Sequence, residues 1–556
     1  MKENQSTCIR HAPQEINHNS IPKTNQSLPG FLALTGVLFL CWLVLLATPV
    51  LAAGQSNITG IVFHDLNENN QHDSGEPGIP GVLVSNGKDM VATDGEGRYE
   101  ISSDDNSVVF VIKPRDWKTS VDNNGIPQFY HLRSSNGAGG AKYPGLKPTG
   151  SFPESVDFAL YPQEESDSFR AVVFGDTQPR DGKEVNYIAH DTVEELIGVE
   201  AAFGFTLGDL VFDNLHLLQS IAEVVGQIGL PWHHVMGNHD IDYSAESNWN
   251  ARGAYHQTFG PSYYAFTWGS AHFVVVDNIR WVQEGEKRYY RTGLGEAQMS
   301  FIRNYLEQVP EDELVMFLMH IPWVGSTPWK DEAEREELFS LLASHPHTVS
   351  LAAHMHRHYH RFIGPGDGWP GEKPHHLMSM GTVCGAWWAG APDEYGIPHS
   401  MMRDGAPTGY GFLEVSGNEW KLRYKAARRP ADFQMHIYAP DELPSSAADS
   451  TEVFANVFNA LPDAQVQMRI GKSGPWLPMS RVKKEDPFYT AMHQREHSYG
   501  DVSWRKSGPP NPDPRHLWQA VLPGGLDAGA HTITVRAEDE WYSYEGRRII
   551  RVTDPK

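Results

Sequence analysis

Cysteine is nearly missing from this chain of 556 residues, and of its three cysteines Cys8 and Cys41 lie before residue 54. Beyond that point Cys384 stands alone, so no intrachain disulfide can staple the body of the protein. A chain of this length buries enough surface to fold without one. Positive charge is also scarce: 45 Lys and Arg face 69 Asp and Glu, for a net charge of −24. Binding a phosphate backbone needs a basic surface, so the charge argues against nucleic acid as an obligate partner, and a nuclease role is disfavoured. A small anionic substrate is not excluded, because a bound cation dominates its local field. Aromatics are not scarce; 16 tryptophans and 40% hydrophobic residues are enough for large packed cores. At roughly 100–200 residues per domain, three or four domains are expected.

Long apolar runs are absent except for one. Phe31–Ala47 is uncharged and apolar, follows Lys2, Arg10 and Lys23, and is broken by Thr48-Pro49 before the small residues Ala52-Ala53. That order predicts a signal peptide over residues 1–53, with an uncleaved anchor as the alternative. Either way the body is expected to be exported: periplasmic, secreted or at the cell surface, with membrane attachment only if the segment is retained.

Behind it the patterning changes twice. Residues 54–161 carry short β-like runs (Ile58–Phe63, Val82–Ser85, Met90–Thr93, Val108–Ile112) between Gly, Asn and Asp turns, which predicts a β-sandwich. Ala141–Ser155 reads as loop and Gln163–Ser168 as linker. Over residues 169–376 strands alternate with helical segments at Glu184–Ala201, Asn214–Ile228, Gly295–Gln308 and Asp331–Ala343. Tyr263–Trp268 and Ala271–Val276 read as a hairpin, so the sheet is expected to be mixed. Residues 377–556 turn β-like again at Glu452–Phe458, Gln465–Ile470, Trp518–Leu522 and His531–Arg536, predicting a second β-sandwich. The Pro-rich Arg505–Arg515 stretch reads as a surface loop. The expected fold is therefore multi-domain: a central α/β sandwich of mixed sheets with flanking helices, between two β-sandwich domains.

The chemistry sits at the ends of five strand-like runs in the middle region. Arg170–Phe174 leads into Asp176 and Gln178, Phe203–Leu207 into Asp209, and Trp232–Met236 into Asn238-His239-Asp240. Leu314–Met319 leads into His320, and Thr348–Ala353 into His354-Met355-His356. Taken singly, each has a bland reading: Asp176 as a helix cap, Asp209 as a turn residue, His320 as a core histidine. In an open α/β sheet, however, ligands bind beyond the carboxyl ends of the strands. Five such ends would gather these carboxylates, amides and imidazoles in one crevice, the composition of a two-metal hydrolytic site. Asp213-Asn214 is read either as a contact to metal-bound water or as a helix cap, and His358 and His360 as surface-facing strand residues.

In this order, Asp176, Gly208-Asp209, Gly237-Asn238-His239-Asp240, His320 and His354-x-His356 resemble the signature of calcineurin-like metallophosphoesterases. The resemblance covers roughly residues 169–360 and implies hydrolysis of a small phosphate mono- or diester by metal-activated hydroxide. It implies two metal ions (Mn, Fe or Zn) bridged by Asp209, one held by Asp176, Gln178 and His356, the other by Asn238, His320 and His354. It implies that His239 protonates the leaving oxygen while Asp240 orients its ring. The chain departs from the family where Gln178 replaces a histidine and Ala353 a glycine. An amide oxygen is a weaker donor than imidazole, which implies altered metal preference.

The flanks add softer signals. Asp65, Asn67, Asn69, Gln71, Asp73 and Glu76 have the oxygen spacing of a calcium loop, with Asn70 at the position usually held by glycine. A solvated turn rich in Asn and Asp is the alternative. Both flanks resemble the β modules that accompany an exported bacterial branch of the same family, through Gly81–Gly87 and Thr93–Tyr99 in front and Gly385–Trp388 and Arg403–Tyr410 behind. Trp387-Trp388 is expected either to wall the pocket or to pack between domains. The rival to an enzyme is a cell-surface binding or adhesion protein that retains the fold.

Overall fold

The computed structural model describes residues 56–326, 329 and 331–554. The segment read as a signal peptide or anchor lies outside them. Among the described residues no helix is long and apolar enough to cross a membrane.

The five predicted metal-bearing strands lie in two sheets. In the five-stranded sheet Trp232–Val235, Phe203–Leu207 and Ser168–Phe174 run parallel, and Gly409–Ser416 and Glu419–Ala426 continue it on the other side. Gly409–Ser416 pairs antiparallel to Ser168–Phe174 in the register Leu413↔Ala171. The six-stranded sheet runs Tyr264–Trp268, Ala271–Val275, Leu314–Leu318, Thr348–Ala352, His375–Ser379, Tyr359–Ile363. Its first pair is the predicted hairpin, antiparallel, and its next three pairings are parallel. The parallel strands Phe203–Leu207, Leu314–Leu318 and Thr348–Ala352 are buried at every residue. Burial on both faces is why they read as continuous apolar runs rather than as an alternation.

Two expectations shift. The boundary placed between residues 376 and 377 cuts through the α/β body, because Gly409–Ser416 and Glu419–Ala426 belong to the sheet that carries Asp176. The helix expected over 184–201 is α-helical only at Gly182–Ile188, capped by Asp181, which accepts from the Lys183 and Glu184 amides. It widens into a π turn at Ala189–Val193, where buried Asp191 meets Arg428 at 2.6 Å. The other three predicted helices are found at Leu218–Gly226, Glu296–Leu306 and Glu332–Ala343.

In front, two four-stranded sheets form from residues 56–162: Arg98–Ser103, Ser56–His64, Phe158–Pro162, Trp117–Lys118, and Met90–Ala92, Leu83–Ser85, Ser107–Val111, Tyr130–Arg133. Their core is continuous with that of the α/β body. Phe110 meets Phe301 edge-on at 5.6 Å, and the Tyr263 hydroxyl donates to the Gly87 carbonyl. Behind, residues 435–553 build a four-stranded and a five-stranded sheet around a separate core. They also hold an unforeseen helix, Pro487–Ser498, which has Pro at its first turn and Asp486 as its cap.

His358 and His360 do not face solvent; both are buried where this last region meets the body. The Gly381 amide donates to His358 Nδ1, and both rings reach Asn459 Oδ1, at 2.7 and 3.2 Å. The C-terminal region covers the strand face that would otherwise have been exposed.

Candidate metal centre

All five strand ends converge. Asp209, His320 and His354 bring ligand atoms within 4.8 Å of one another. The His320 Nδ1–H donates to the Leu207 carbonyl at 2.8 Å, which leaves Nε2 as the inward-facing nitrogen. That nitrogen faces Asp209 Oδ2 at 3.2 Å, Asn238 Oδ1 at 3.1 Å and His354 Nδ1 at 3.2 Å. Beside it, His356 Nδ1–H donates to the Gly385 carbonyl at 2.6 Å, so its Nε2 faces Asp176 Oδ2 at 3.1 Å. Asp176 Oδ2 is buried with no hydrogen-bond donor of good geometry. Lone pairs that converge on shared points in a buried cluster repel each other unless a cation lies between them. The residues therefore fit a bound metal cation.

The electrostatics point the same way. Asp209 is held below the ordinary carboxylate range; burial opposes ionisation, but His320, His239 and His354 outweigh it. Asp176 is likewise lowered, against burial, by His356 and His320. His320 is pushed up to about 9: burial opposes its charge, and Asp209 and Asp176 impose it. His354 falls to about 4 through burial and the neighbouring His320. Asp176 and Asp209 thus stay anionic while His354 stays neutral with a lone pair to donate, a set of donors suited to a cation.

The glycines of the two central motifs are there for space. A Cβ on Gly237 would sit 2.0 Å from the Asp209 amide nitrogen, and one on Gly208, whose φ is +86°, would sit 2.7 Å from His320 Nδ1. Backbone strain also gathers here. Gln178, Asp209, Asp213, His354, His356, Trp387 and Trp388 all have positive φ, a conformation that persists in such residues only where the surroundings enforce it.

The structure brings Asp176, Gln178, Asp209, Asn238, His320, His354 and His356 together. Gln178 meets Asp209 Oδ2 through its amide nitrogen, at 2.6 Å, while its oxygen lies 3.7 Å from the Cys384 sulfur. The two faces of a primary amide exchange by a half-turn at little steric cost.

The expected pairing of His239 with Asp240 is not found. His239 Nδ1 lies 2.8 Å from Asp213 Oδ1, and its ring stacks on Phe212 at 4.4 Å. Asp240 is fully buried beneath the loop, where it accepts the Gly237 and Val211 amides. Burial and the charge of Asp209 push its carboxyl up to about 7. Asp240 therefore shapes the loop, and Asp213 orients the imidazole. Asn214 does not cap a helix with its side chain, which donates instead to the Arg180 carbonyl.

Sequence reasoning left Trp387 open between two roles and missed Arg180. The Trp387 ring stacks on His356 at 4.2 Å and so walls the site, whereas Trp388 is buried and donates to the Thr177 carbonyl. Arg180 donates to the Trp387 carbonyl and lies over Phe212. Its position two residues after Gln178 was the available signal.

Residues 66–142 match the N terminal of Calcineurin-like phosphoesterase, and residues 378–544 match the C terminal of Calcineurin-like phosphoesterase. The chain belongs to the calcineurin-like phosphoesterase family. As a calcineurin-like phosphoesterase it is a metal-dependent hydrolase of phosphoesters, and its cluster of Asp209, His320 and His354 could hold such a metal. No curated protein matches the chain.

The 65–76 loop has a different character. Asp65 is buried and accepts the amides of Glu68 and Asn70 at 2.7 Å each, together with the Tyr161 hydroxyl. Asn67 and Asn69 donate their side-chain amides to Asp73 Oδ2, and Glu76 accepts the Leu66 and Asp73 amides. Gln71 is exposed.

Proposed function

We propose that this protein hydrolyses a small phosphate mono- or diester with two divalent or trivalent metal ions. Asp176, Gln178 and His356 hold one, Asn238, His320 and His354 hold the other, and Asp209 lies between them. The observation that carries this reading is the convergence of His320 Nε2, Asp209 Oδ2, Asn238 Oδ1 and His354 Nδ1 on one buried point. Two bound cations lower the pKa of water and neutralise the charge of a phosphoryl group.

The protein's own groups do the rest. Asp213 keeps the proton of His239 on Nδ1, so Nε2 is the atom that exchanges a proton with the leaving oxygen. Phe212 fixes the plane of that ring, and Trp387 closes the wall behind His356. A pure binding protein would need no such acid.

The N-terminal apolar segment supports export, and the acidic charge supports a small substrate rather than nucleic acid. We read the flanking sheets as two β-sandwich modules, the first with a calcium loop at residues 65–76.

The test is a panel of chromogenic mono- and diesters assayed with Mn²⁺, Zn²⁺ or Fe²⁺, alongside elemental analysis of the purified protein. Turnover that depends on metal and is lost with metal content in His320→Ala is the expected result. Metal bound without turnover of any ester would favour the binding-protein alternative.

A further inference from the structure

The glycine-rich stretch that reads as a plain loop in the front region reaches the catalytic loop. Gly140 and Gly145 allow the contact: a Cβ on Gly140 would lie 2.0 Å from Asp242 Oδ2, and one on Gly145 2.7 Å from the Gly253 carbonyl carbon. The seam is fastened by backbone donors, Lys142 N–H to Ser244 Oγ at 3.0 Å and Leu146 N–H to the Gly253 carbonyl at 3.1 Å. Between these two points Tyr143 is buried, with its ring edge-on to His216 at 4.9 Å. Its hydroxyl donates to the Asp213 carbonyl at 2.5 Å.

Asp213 is the residue that orients His239; its neighbours Phe212 and Asn214 are bonded to the Pro179 and Arg180 carbonyls, and Tyr143 holds the carbonyl of Asp213 itself. Its side chain is 50% exposed, and its φ of +58° is a strained conformation for a residue other than glycine. A strained, half-exposed residue holds one geometry only if its backbone is tethered, and the Tyr143 hydroxyl is such a tether. The chain of contacts runs from the Tyr143 hydroxyl through the Asp213 backbone and carboxylate to His239 Nδ1.

We propose that Tyr143 is a positioning residue for the leaving-group acid, and that the front β region is thereby a working part of the active site. This rests on the assignment of His239 as that acid. Positioning acts on proton delivery alone, so it should matter most when the leaving oxygen departs poorly without a proton.

The test is Tyr143→Phe in the full-length protein, assayed on aryl and alkyl phosphates graded by leaving-group acidity. Phenylalanine keeps the ring packed on His216 and removes only the hydroxyl. The expected loss in kcat is about tenfold on alkyl and unsubstituted phenyl esters, the scale of one hydrogen bond, and under about twofold on nitrophenyl esters, where no proton is needed. His239→Ala combined with Tyr143→Phe should be no slower than His239→Ala alone. An equal loss across all leaving groups, or additive losses in the double variant, would overturn the proposal. If His239→Ala itself shows no leaving-group dependence, or the wild-type protein turns over no ester, the functional reading fails along with it. Dependence in His239→Ala without dependence in Tyr143→Phe sinks the positioning role alone.

Discussion

Acidification should unfold this protein through five imidazoles remote from the metal cluster. His233, His234, His256, His375 and His376 are pushed down to about 3 by burial. An unfolded chain protonates each near 6.5, so below that pH the unfolded state binds protons that the folded state refuses. Stability from these groups is complete above pH 6.5 and is lost as pH falls toward 3. Each costs about 1.4 kcal/mol per pH unit, or about 7 kcal/mol per unit for five. Carboxyls that burial raises act in the opposite direction: Asp240 at about 7, with Asp191 and Asp486 also raised. Cancelling three of the five leaves about 3 kcal/mol per unit, so the slope should lie between about 3 and 7. Two pH units then remove a large part of the roughly 5–15 kcal/mol typical of a folded protein. The assay is proton uptake on urea unfolding at pH 5.5, with unfolding curves at pH 7.5, 6.5 and 5.5. One unit below 6.5 each unfolded imidazole is about nine-tenths protonated, so an uptake of about 1.5 to 4.5 protons per molecule is expected. His375→Gln should reduce the slope by about 1.4 kcal/mol per unit. Uptake of less than one proton would refute the reasoning.

Three further outcomes follow from the site. Asp209→Ala should lose metal and activity together, whereas His239→Ala should keep its metal and lose roughly 10²–10⁴-fold on poor leaving groups; elemental analysis beside kinetics separates them, and metal loss in His239→Ala would contradict the assignment. Gln178→His should raise metal retention through dialysis, above all for zinc or iron, because imidazole is the stronger donor; unchanged metal content would remove Gln178 from the ligand set. Calcium at a hundredfold excess over its dissociation constant should stabilise the full-length protein by roughly 2.7 kcal/mol if it binds residues 65–76; identical melting curves with calcium and with chelator would show that loop to be only a turn.

The strand ends were legible because strands buried on both faces leave an unbroken apolar run, and the polar residues that follow stand out. Asp176, Asp209, His320 and His354 could be placed together on that basis. The partner of His239 could not. Asp240 is its neighbour in sequence, but the tight turn sends that carboxylate under the loop to the Gly237 and Val211 amides. Asp213 reaches the ring from another loop. His358 and His360 alternate as exposed strand residues do, and periodicity says nothing about a second region covering that face. That Gly409–Ser416 and Glu419–Ala426, beyond the boundary at 376/377, join the central sheet could not be read for a similar reason: a pairing between distant strands has no local signature. Asp486-Pro487 is a local helix-start signal, set among β-like runs that dominate the surrounding sequence.

The place of Gly409–Ser416 beside Ser168–Phe174 sets an order of events during synthesis. Until residue 416 has left the ribosome, the strand that leads to Asp176 is a bare sheet edge with unpaired amides and carbonyls. The two central sheets can nucleate earlier from nearer neighbours, yet the strand that carries Asp176 waits for a segment encoded far downstream. A chain that stops short of that hairpin retains Asp176, Asp209, His320 and His356, and should still be unable to hold them in register. Premature termination would therefore leave an aggregation-prone remnant rather than a smaller enzyme.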